Sequence, residues 1–259
     1  MMLALIRAIR NNFIRCFKGY RFILGILGVI GVFILSLLDY GNEIRVIHAF
    51  VDSFQTITFL SVIMFCSLPY ASSLYEDLEN NCYRPELTRH KLGLMVLSKV
   101  IVIFSSAVMT MFIGSMIFTL LLGIRYEWGI LEYNAEYLLD ISDMIKNNQL
   151  ILYVAVTAYK VGTLYGVLAL LSTAISLFIR NKLIVYAAPA ILWHLIVDIS
   201  GKFQGKPLYL EIYCIFSPDY NVWNNEWLTL LWSNLVVLIL ALFLTVFIYI
   251  RFKRVIADG

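Results

Sequence analysis

Apolar residues run along this chain in long blocks separated by short charged segments. A helix needs about 20 apolar residues to cross a bilayer. Charge-free runs of that order lie at 22–38, 53–75, 100–124, 161–179 with an apolar lead-in from Leu150, 183–197 continuing past Asp198, and 227–250. The runs are continuous rather than alternating, which suits helices that satisfy their own backbone and not barrel strands. The pattern predicts an all-α integral membrane fold of six transmembrane helices in one domain, 1–259. Before the first run, residues 1–21 place Leu3, Ile6, Ile9, Phe13 and Phe17 at spacings of three and four. Arg7, Arg10, Arg15 and Lys18 fall largely off that face. This predicts an interfacial helix whose basic side meets anionic membrane lipids.

Composition strengthens the membrane reading. The chain is 61% hydrophobic and only 14% charged. Soluble domains average about 45–50% and about 25%. A soluble enzyme, a disordered chain and a disulfide scaffold are thereby excluded. The net charge of +3 says little, but its distribution is informative. With the N-terminus inside, fourteen basic residues fall on cytoplasmic segments and five on outer ones. That asymmetry predicts both termini and loop 76–92 inside, and 39–52, 125–149 and 200–226 outside. Cleavage as a signal peptide is not expected, because the first run is long and Asp39-Tyr40-Gly41 offers no small-residue site.

The two longer outer segments differ. Residues 125–149 gather Glu127, Glu132, Glu136, Asp140 and Asp143 beside aromatic and aliphatic positions. Residues 200–226 carry Tyr209, Tyr213, Phe216, Tyr220 and Trp223 with Pro207 and Pro218. The aromatic density predicts either a short re-entrant helix or an interfacial belt.

Catalytic signals are missing. There is no phosphate loop, dinucleotide fingerprint, HExxH or GxSxG. His48, His90 and His194 are scattered, and Cys16, Cys66, Cys82 and Cys214 form no metal pattern and no expected disulfide. No catalytic residue, metal or nucleic-acid partner is expected. Lys160 lies twenty residues before Arg180, about 30 Å along a helix, which predicts a snorkelling lysine at the outer boundary. Asp198 lies at a similar depth, so the two are candidates for an outer vestibule. Gly25, Gly28 and Gly31, and then Gly162, Gly166, Ala169 and Thr173, form small-residue faces for internal packing or a subunit interface.

The inner loop carries a family likeness. It opens on Glu76, Asp77 and Glu79, continues to Leu87-Thr88-Arg89, and ends at Leu97-Ser98-Lys99. With the basic N-terminal helix, six runs and Phe216-Ser217-Pro218 in the last outer segment, the chain resembles ABC-2 type permease subunits of bacterial ATP-binding cassette exporters. It departs by carrying Asn80-Asn81 where a glycine is usual, and by Pro85. The resemblance implies an inner-membrane, multi-pass half-transporter paired with a second permease copy or paralogue and a separate ABC ATPase. ATP and magnesium would be held in that ATPase, with no cofactor in this chain. It implies an elbow helix at 1–21 bearing Arg7, Arg10, Arg15 and Lys18. It implies a coupling helix in the loop, with Glu76, Asp77, Glu79, Tyr83, Arg84, Glu86, Leu87, Thr88 and Arg89 as the coupling residues. Leu78, Tyr83 and Leu87 are the expected apolar anchor for the ATPase, and Pro85 the expected start of a helix. The cargo implied is an amphipathic peptide or lipid-like molecule. The rival readings are an immunity or sensor protein that binds antimicrobial peptides without transport, and an integral-membrane lipid-modifying enzyme.

Overall fold

The structure, a computed structural model, describes residues 2–39, 45–54, 59–89, 91–129, 142–179, 181–201, 208–218, 220–223 and 225–257. Among these every regular element is helical. Helix α1 (Met2–Lys18) turns by 60° into α2 (Tyr20–Ser36), which ends in a 3-10 turn at Leu37–Asp39. Then come α3 (Val46–Asp52), α4 (Phe59–Ser67), α5 (Ser73–Glu79), α6 (Tyr83–Arg89) and α7 (Leu92–Arg125). Helices α8 (Asp143–Lys146), α9 (Leu150–Ser176), α10 (Lys182–Gly201), α11 (Ile212–Phe216) and α12 (Glu226–Ala257) complete the order, with a 3-10 turn at Leu208–Leu210.

Three helices, α7, α9 and α12, are long and apolar enough to cross a membrane, or four if α1 and α2 form one bent span. The third, fourth and sixth apolar runs therefore correspond to long helices. The others depart from the expected pattern for local reasons. Helix α10 contains Pro189, and its apolar part, Leu183–Ile199, is seventeen residues long. At 1.5 Å per residue that falls a few ångströms short of a bilayer core of about 30 Å. The run at 53–75 is not a single helix. It begins just after α3, contains α4 and breaks at a turn over 68–72 that contains Pro69. Proline has no N–H and disfavours the helical conformation of the residue before it. The carbonyl of Ala71, freed by this break, accepts a 3.0 Å hydrogen bond from Thr173 Oγ1 on α9. That bond is what allows irregular backbone among packed helices.

The core is built on α7 and α9. In the apolar window of α9, 78% of residues are buried, against 22% in α12. So α9 lies at the centre and α12 at the periphery, with Leu231, Leu238, Leu242 and Phe243 on its open face. The two central helices run antiparallel, since Gly162 meets Val108 and Gly166 meets Phe104. On α2, Gly25 and Gly28 both face Phe65 of α4. Both small-residue faces thus serve packing within the chain. Gly31 is the exception, with nothing within 4 Å of where a Cβ would stand.

Candidate functional site

The densest polar cluster lies where α1, α5 and α6 meet the first turns of α7. Asp77 on α5 is fully buried between two cations. Arg15 Nη1 of α1 donates to its Oδ1 at 3.2 Å, and the Lys99 ammonium of α7 contacts its Oδ2. Glu86 Oε2 of α6 stands 3.4 Å from the same ammonium. Two cations and two anions thus form a near-neutral quartet drawn from four helices. Breaking a buried pair leaves an uncompensated charge, so such a group holds its elements in one arrangement. Partial burial pushes the Glu86 carboxyl above its ordinary range, against the opposing pull of Arg15.

A second set of bonds lies one turn away. Arg21 Nη1 donates to Glu76 at 2.6 Å and to Ser72 Oγ at 3.2 Å. Ser72 Oγ in turn donates to Glu76 at 3.0 Å and accepts from Tyr186 of α10 at 3.0 Å. Asn12 closes the set, donating to Ser98 Oγ at 3.0 Å and accepting from Tyr70 at 2.8 Å.

The coupling residues expected from sequence divide into two groups. Glu76, Asp77 and Glu86 face the chain's own cations. Tyr83 is buried in the core, and Leu78 and Leu87 pack against it. The anchor expected for a partner is thus occupied within the chain. Glu79, Arg84 and Thr88 are exposed, together with Asn80, Asn81, Cys82 and Pro85. The backbone of Arg89 ends α6; its side chain and His90 lie outside the described residues. Two short helices form, as the loop predicts, and α6 starts at Tyr83 with Pro85 in its first turn. Asn81 adopts φ 54°, the left-handed conformation otherwise given to glycine at a helix end. This lets the turn between α5 and α6 close without a glycine.

On α1, Arg7, Arg10, Arg15 and Lys18 are exposed, while Ala8, Asn12 and Cys16 are buried against the bundle. Leu3, Ile6 and Ile14 remain exposed, leaving an open apolar face beside the basic residues.

At the far end of α9, Lys160 is buried rather than snorkelling and donates to the carbonyl of Ser217 at 2.8 Å. It lines a small cavity with Tyr153, Thr157 and Glu226. The Glu226 carboxylate accepts from the hydroxyl of Ser142 and, at 3.4 Å, from the Met144 amide. Asp198 is exposed on α10 and does not line this cavity. Within 200–226, α11 packs inward with Cys214, Ile215 and Phe216 buried, while Tyr209, Tyr220 and Trp223 are exposed. Burial and the neighbouring Glu211 push the Cys214 thiol up to about 12, so it stays protonated and inert at neutral pH. In 125–149, Glu132, Glu136 and Asp140 lie outside the described residues.

The sequence singled out none of Arg21, Ser72 and Glu226, and marked Lys99 only as the landmark that ends the loop after the second apolar run. For Arg21 and Glu76 a signal was available. One stands immediately before an apolar run and the other immediately after the next, so both belong at the same boundary.

Among the described residues, no three or more His, Cys, Asp or Glu side chains converge as a metal site. No family model, curated protein or solved structure matches this chain, so its function is to be read from its residues and their arrangement.

Proposed function

We propose that the chain is the membrane-spanning permease half of an ATP-driven exporter, with six spans and both termini in the cytoplasm. Two such halves, identical or paralogous, move an amphipathic peptide or lipid-like cargo using a separate ABC ATPase. The observation that carries this reading is the α5–α6 pair. It is a short helical hairpin keyed by ion pairs to α1 and to the base of α7, with Glu79, Arg84 and Thr88 on its open side. Force applied to such a hairpin passes directly into the membrane-facing helices. Its exposed charges would set register and partner choice more than raw affinity. The open apolar face of α12 supplies surface for lipid or for a second permease.

The direct test is co-expression with a phosphate-loop ATPase encoded beside it. Charge reversal at exposed Arg84 (R84E) should reduce ATPase co-purification about tenfold, the equivalent of about 1.4 kcal/mol, and leave the yield of folded permease unchanged. Failure of any ATPase to co-purify with the unaltered chain would sink the reading.

Topology is tested with a native thiol. Cys82 is exposed on the hairpin turn, while Cys16, Cys66 and Cys214 are buried. A membrane-impermeant maleimide should label Cys82 only after cells are permeabilised. With Cys82 replaced by serine, a cysteine introduced at exposed Asn147 should label in intact cells. The reverse pattern would overturn the proposed orientation.

A further inference from the structure

Where α1 bends into α2, a cavity of about 220 Å³ lies between the bend and the 69–76 stretch. Arg15 and Arg21 both line it, together with Ser72, Ser73 and Glu76. The lining therefore carries two guanidiniums and one carboxylate, and Asp77 balances Arg15 from outside the cavity. Glu76 already accepts bonds from Arg21 and Ser72. Both guanidiniums bond their carboxylates through Nη1, so their other N–H groups remain to be directed at an anion. Ser73 supplies an independent sign. Its side chain is 4% exposed, it lines the cavity, and its Oγ has no hydrogen-bond partner. A buried hydroxyl left unpaired is costly, which points to a group that completes it.

The surroundings narrow the class of that group. Immediately beyond the bend, Tyr20, Ile23, Leu24 and Leu27 of α2 are exposed. A polar cavity lined by guanidinium N–H groups thus opens beside an apolar helix face. Guanidiniums favour oxygen anions in planar, paired contacts. We propose that this cavity binds the phosphate of an anionic membrane phospholipid, whose acyl chains lie along the exposed face of α2. Inorganic phosphate offers similar oxygens but gains nothing from the apolar face. A zwitterionic lipid brings a second cation toward Arg15 and Arg21.

The test uses the full chain, purified and delipidated in mild detergent, with bound lipid counted by native mass spectrometry. In about 0.3 M salt, where diffuse attraction is screened within several ångströms, dioleoylphosphatidylglycerol should be retained about tenfold over dioleoylphosphatidylcholine. Ser73→Ala removes only an unpaired hydroxyl, so it should weaken retention about threefold without lowering the melting temperature. Ser73→Leu should fill the cavity and bring the two lipids to parity. Replacing the exposed Lys253 and Arg254 of α12 by glutamine should leave the preference intact. Equal retention of the two lipids by the unaltered chain would overturn the proposal. So would an unchanged preference in both Ser73 variants, or its loss in the Lys253 and Arg254 variant. Displacement of the lipid by millimolar inorganic phosphate would overturn the assignment to lipid.

Discussion

Replacing Asp77 by alanine should destabilise the protein by about 3 kcal/mol, near the lower end for breaking a buried ion pair. The carboxylate is fully buried and compensates both Arg15 and Lys99. Arg15 is half exposed and can turn to water, but Lys99 is fully buried. After the substitution only Glu86, 3.4 Å away, remains near the ammonium. That residual contact is why the expected loss lies at the lower end. A thermal melt of the detergent-solubilised chain, followed by size exclusion, should fall by on the order of 10 °C. The companion variant distinguishes charge from packing. Asp77→Leu combined with Lys99→Met removes both charges and keeps the volume, so it should regain most of the loss. An Asp77→Ala protein as stable as the original would sink the account. A double variant no better than the single would count against it equally.

The second large effect is steric. A Cβ on Gly25 would stand 2.9 Å from the backbone carbonyl of Phe65 and 3.1 Å from Thr110 Cγ2. A carbonyl held in α4 cannot rotate aside as a side chain can, so α2 itself must move. Overpacking of this kind costs about 1–3 kcal/mol for a small addition. Gly25→Ala should fall in that range, and Gly25→Leu should lose more or fail to accumulate. Gly31 is the internal control, because nothing lies within 4 Å of its would-be Cβ. Gly31→Ala should be neutral, or stabilising by about 0.5–1 kcal/mol through helix propensity. Expression level and melting temperature of the three variants check the contrast. Equal tolerance at positions 25 and 31 would contradict the close approach of α2 and α4.

The same two positions show how far the sequence could be read. Glycine spacing on the first and fourth apolar runs announced close helix approach, but not the partner. The partner is Phe65 in one case and Phe104 with Val108 in the other. Hydropathy located α7, α9 and α12 because it counts apolar residues, and those helices have no interior breaker. It failed at 53–75 because Pro69 is apolar enough to extend a run while unable to extend a helix. The charged loop was read as a surface because its acids alternate with arginines along the chain. Alternation in sequence does not decide which way a short helix faces. Asp77 and Glu76 turn inward because Arg15, Arg21 and Lys99 come to the same level from other segments. Those pairings span up to sixty-two residues, beyond what local spacing reveals.

The quartet also has an order in time. A ribosome delivers Arg15 first, Asp77 sixty-two residues later, then Glu86, and Lys99 last. Until the base of α7 emerges, Asp77 has Arg15 alone, and Glu86 lacks the ammonium it meets in the finished fold. The nascent chain therefore carries surplus negative charge at this level until Lys99 arrives and neutralises it. Asp77 thus lacks its second cation until the first turns of α7 have been made.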